Sequence, residues 1–69
     1  MIKVGTKYEP ISNDMLDFNG NKVMYFEILG EDEDIKHNVK ILVYPERGIC
    51  SVDSIAESEV IDNSKFREI

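Results

Sequence analysis

The sequence predicts a single mainly β domain: a small SH3-like or OB-like barrel of four to five antiparallel strands with a short helical turn before the C-terminal segment. Three observations predict it. Apolar and polar residues alternate in short blocks, as in half-buried strands. Proline, glycine and an Asn-Gly pair punctuate those blocks. The two strongest blocks, Lys22 to Leu29 and Val39 to Tyr44, are apolar on both faces, more than one flat sheet would cover. Curling the sheet covers both and removes open edges. The alternative is an α+β arrangement, an antiparallel sheet covered by one short helix.

The first block, Ile2 to Tyr8, places Ile2, Val4, Thr6 and Tyr8 on one face and Lys3, Gly5 and Lys7 on the other, a half-buried strand. Pro10 lacks an amide proton and ends it. Ser12, Asn13 and Asp14 form a loop. Met15 to Phe18 and the run from Lys22 are then joined by Asn19-Gly20, the pair that best tolerates positive φ at both centres of a type I′ hairpin turn. The run Lys22 to Leu29, bounded by Asn-Gly and Gly30, reads as a central strand.

Four consecutive carboxylates, Glu31, Asp32, Glu33 and Asp34, repel one another and mark an exposed loop. Val39, Ile41 and Val43 alternate with Lys40, Leu42 and Tyr44 in the next strand. Tyr44-Pro45-Glu46-Arg47-Gly48 is a turn, and Ile49 to Val52 the returning strand. Ser54-Ile55-Ala56-Glu57 fits a capping box, with a helix of about two turns from Ile55. Glu59 to Ile61 read equally as a strand, and Phe66 and Ile69 as the last strand or a frayed end.

A chain of 69 residues forms one domain, spanning 1–69. No apolar run is long enough to span a membrane, and no segment reads as a signal peptide. The single cysteine, Cys50, allows no intramolecular disulfide, so a cytoplasmic location is expected and Cys50 reads as a small buried apolar residue. The net charge of −6 repels phosphate, so no direct nucleic-acid binding is expected.

The acidity is uneven. Residues 1–30 hold four acids and three bases; residues 31–69 hold ten acids and five bases. The excess gathers in Glu31, Asp32, Glu33 and Asp34 and in Glu57, Glu59 and Asp62, the candidate partner-binding residues. Such a field steers the chain toward basic surfaces, and it also confers solubility.

Chemistry is sparse. His37 is the only histidine, and a dyad with Cys50 is the weaker reading beside a plain surface histidine. No phosphate-cradling or nucleophile-elbow motif occurs. Asp17, Asn19 and Asn21 have calcium-loop spacing, but Lys22 stands where glycine is needed and Ile28 where a bidentate glutamate is needed. One cysteine and one histidine do not make a zinc site, so no metal and no cofactor is expected, and no enzymatic activity. Phe18, Phe26 and Phe66 are assigned to the core; Tyr8, Tyr25 and Tyr44 divide between core and surface.

The function expected is that of a small non-enzymatic protein-binding protein, an inhibitor or adaptor of phage or mobile-element type that docks on a basic surface. The alternative is a small-molecule- or peptide-binding barrel working as a homo-oligomer, since a core this small gains from self-association.

Overall fold

The computed structural model describes residues 2–69. Its strands are β1 (Lys7–Pro10), β2 (Val23–Glu31), β3 (Asn38–Pro45), β4 (Ser51–Ala56) and β5 (Phe66–Glu68), with one helix, α1 (Glu57–Val60), between β4 and β5. All neighbours are antiparallel, in the order β4-β3-β2-β1-β5. The mainly β fold, the five strands and the helical turn before the last of them agree with the sequence reading, and β2 is the central strand. The barrel does not close. β4 and β5 are the two edges of one sheet and share no ladder. The alternative, an antiparallel sheet covered by one short helix, fits: Val60 of α1 is buried in the same cluster as the inward residues of β2 and β3, which Phe66 of the β5 edge also joins.

The core explains how the nearly continuous apolar run of β2 serves a half-buried strand. The ladder with β3 slips by one residue between Val23 and Tyr25 and again between Ile28 and Gly30. Each slip is a bulge, and it pushes Met24 and Leu29 outward while Val23, Phe26 and Ile28 stay inside. Val39, Ile41 and Val43 of β3 share that inner face. Phe26 is fully buried, stacked on Tyr8 at 5.8 Å and met edge-on by Phe66 at 5.2 Å. Ile2, Met15 and Ile55 pack around this cluster.

Several local expectations are corrected. The first strand starts at Lys7, because Lys3 to Thr6 form a turn closed by Thr6 N–H to the Lys3 carbonyl. Gly5, at φ 89°, donates to the Ile28 carbonyl, and the Ile28 amide donates to Thr6, so Gly5 and Thr6 together face one residue. That is a glycine bulge, and it breaks the alternation the sequence suggested. The hairpin at Asn19-Gly20 exists with a three-residue loop, Phe18–Gly20, and not a type I′ turn. Gly20 alone has positive φ there (82°), and its amide donates to the Asp17 carbonyl. The Asp17 carboxylate decides the difference: Oδ1 accepts from Asn19 N–H and Asn21 N–H at 3.0 and 2.8 Å, tightening the loop. Phe18 therefore sits at the hairpin tip, 76% exposed and outside the core.

The capping box does not form. Ser54 lies within β4 opposite Lys40, the helix starts only at Glu57, and its N-cap Ala56 has no side chain to cap with. Pairing to β3 as far as Asn38–Ala56 gains ladder bonds and packs Ile55 on the core, which outweighs a marginal two-turn helix. Glu59 and Val60 are helical and not strand. Cys50 precedes the first ladder residue, Ser51, and is exposed, so it is not a buried apolar residue.

Candidate functional site

The β2–β3 connection carries the acidic run. Asp32 N–H donates to the Asn38 carbonyl, continuing the hairpin, and Asn38 N–H donates back to Ile35. Closing so tight a loop puts His37 at φ 68°, the left-handed region that costs a side-chain-bearing residue roughly 1–2 kcal/mol. The side chain of Asp32 meets that cost. Its Oδ1 accepts from Asp34 N–H at 2.8 Å and Ile35 N–H at 3.2 Å, and its Oδ2 accepts from Ser54 Oγ of β4 at 2.5 Å. Ser54 Oγ in turn accepts from Asn38 Nδ2 at 3.0 Å. The Ser54 hydroxyl first, and the backbone amides with it, hold the Asp32 carboxyl below the ordinary aspartate range.

The loop thereby leans on the β4–α1 junction. Glu57 N–H donates to the His37 carbonyl at 3.0 Å, so the first residue of α1 stands beside the acidic run. Together Glu31, Asp32, Glu33, Asp34 and Glu57 line an open concavity of about 560 Å³, with Lys36, His37 and Asn38 on its remaining wall. A second hollow, lined in part by Ala56 and Ile61, adjoins it across His37 and Glu57 and gives the acidic mouth an apolar flank.

The candidate residues separate into two groups. Glu31, Glu33 and Asp34 are exposed, and with Glu57 they form no ion pair among the described residues. Asp32 is a fastener of the loop. Glu59 and Asp62 do not line the concavity. Glu59 is paired with Lys65 at 3.2 Å, and Asp62 Oδ1 accepts from Ser64 Oγ at 2.6 Å and Ser64 N–H at 2.9 Å. Those two bonds, the hydroxyl's first, keep Asp62 below the ordinary aspartate range. Sequence reasoning missed the anchors Ser54 and Asn38. Their roles depend on a contact between residues 22 positions apart, and no local pattern encodes it.

The site is an open concavity that presents exposed carboxylates. His37 and Cys50 form no dyad: Glu57 pairs with His37, and Cys50 lies seven residues back along the same strand direction, about 20 Å away. Among the described residues no group of three or more histidine, cysteine or acidic side chains is placed to hold a metal ion. No helix among them is long and apolar enough to cross a membrane. No protein-family model, curated protein or solved structure matches the chain.

Proposed function

We propose that this chain is a small non-enzymatic binding protein that docks on a basic protein surface through the concavity formed by Glu31, Glu33, Asp34 and Glu57, and so acts as an inhibitor or adaptor. One observation carries the reading. Residues far apart in sequence, the 31–34 loop and Glu57, line one concavity, and among the described residues Lys36 is the one lysine or arginine that lines it. A rigid support favours recognition, since the loop is fastened by Asp32 and Ser54 and little order is lost on binding. Unpaired carboxylates at the mouth raise the rate of encounter with a basic partner and are screened by salt.

The test reverses charge without unfastening the loop. Glu31→Lys, Glu33→Lys, Asp34→Lys and Glu57→Lys are combined, and Asp32 is kept. Wild-type chain immobilised at low salt captures a basic partner from host lysate, and the purified pair weakens steeply with added salt. The reversed variant loses that partner. Capture that survives both reversal and salt sinks the proposal.

A further inference from the structure

We propose that the outer edge of β4 is a self-association surface, on which a second copy of this chain adds its own β4 antiparallel, with Val52 opposite Val52 of the second copy. The inference does not depend on the acidic concavity having a partner.

Among the described residues β4 has a ladder on one side only. Glu57 N–H bonds to His37, so the odd-numbered residues of the strand turn their main chain toward β3. The even-numbered residues Cys50, Val52 and Ser54 then aim theirs at the open edge. No main-chain bond from another segment reaches this edge among the described residues. The opposite edge, β5, has three residues and carries Arg67 and Glu68, a short charged strand of the kind that resists pairing. β4 is twice as long, with Val52 58% and Ile49 84% exposed beside it.

The second copy is the occupant because the strand is complementary to itself in one register. Centred on Val52, a two-fold axis keeps the core faces of both sheets on one side. Val52 meets Val52, and Leu42, its neighbour on β3, extends the apolar strip in each copy. Ile49 comes opposite Ile55. Ser51 comes opposite Asp53, and its hydroxyl, buried without a hydrogen-bond partner among the described residues, reaches an acceptor there by rotating about χ1 toward the edge. Continuing the same register carries Arg47 toward Glu57 of the second copy; neither is in an ion pair among the described residues. Asp53 avoids Asp53. Ser54 N–H, held by Asp53 Oδ1 at 2.7 Å in the single chain, exchanges that bond for the Cys50 carbonyl and frees the carboxylate for Ser51.

Sedimentation from about 10 µM to about 1 mM reads the outcome, the range in which small interfaces populate. The wild-type mass rises with concentration from 7.9 kDa toward twice that value. Val52→Pro removes an edge amide that β3 does not use, keeps its circular dichroism, and stays monomeric throughout. The register is read by Val52→Cys in a Cys50→Ser background. Under mild oxidation this variant cross-links to a dimer at least tenfold faster than Phe18→Cys in the same background, because facing strand residues lie within disulfide reach. A wild-type chain that stays monomeric over the whole range overturns the proposal. So does a Val52→Pro variant that associates like wild type, or equal cross-linking rates.

Discussion

Val60→Ala tests whether α1 is held by the core or merely follows β4. Val60 is 1% exposed and is the only buried residue of a four-residue helix with no side-chain cap. A helix that short has no stability of its own, so its docking rests on this one side chain. The substitution removes two buried methyl groups, about 0.8 kcal/mol each in transfer alone. The space left in the buried cluster that Val60 shares with residues of β2 and β3 adds a cavity term, bringing the loss to about 2–3 kcal/mol. A 69-residue domain has about 3–10 kcal/mol in all, so this is a substantial share. In a domain of this size it corresponds to a fall in melting temperature of about 8–24 °C. Urea and thermal denaturation followed by far-ultraviolet circular dichroism measure it. Val60→Ile at the same position separates lost volume from intolerance of any change, since overpacking is a different fault with a different midpoint. A Val60→Ala loss below about 0.5 kcal/mol, the range of ordinary surface substitutions, refutes the docked helix.

Two further outcomes follow from the loop and the strand edge. Asp32 is depressed chiefly by the Ser54 hydroxyl and then by backbone amides, so its folded value lies below its unfolded one. Its stabilising effect is therefore fully present above the ordinary aspartate value of 3.8 and is lost as pH falls through the lower folded value. Equilibrium unfolding across that acid window is steeper in wild type than in Asp32→Asn, and identical slopes would count against the Asp32 fastening. Cys50 is exposed, so a thiol reagent such as dithionitrobenzoate labels it stoichiometrically in the native protein. Labelling that waits for denaturant contradicts the position of Cys50 outside the ladder.

What was legible in the sequence was whatever depends on neighbours along the chain. The period-2 pattern from Val39 to Tyr44 marked β3, and Glu31 to Asp34 marked an exposed loop. The hairpin at Asn19-Gly20 was legible too, but not its turn type, because the choice between two- and three-residue loops was made by the Asp17 side chain. Ser54 shows the limit most plainly. Its spacing to Glu57 is that of a helix cap, and in isolation that pattern favours a helix start. Alongside β3 the same residues complete a ladder and place a hydroxyl on Asp32.

The acidic site divides in the same way. The excess of acids in residues 31–69 over residues 1–30 is a property of the sequence, and so is the absence of the known catalytic and cofactor motifs. Which carboxylates share a surface was decided by the tertiary structure. Pairing of β3 with β4 brings Glu57 to the 31–34 loop, and the turn after α1 leaves Glu59 with Lys65 and Asp62 with Ser64. Charge adds along the chain without regard to fold, but a field at a surface depends on the distances between charges. Those distances are set by strand register and by where the sheet stops, and this sheet stops open.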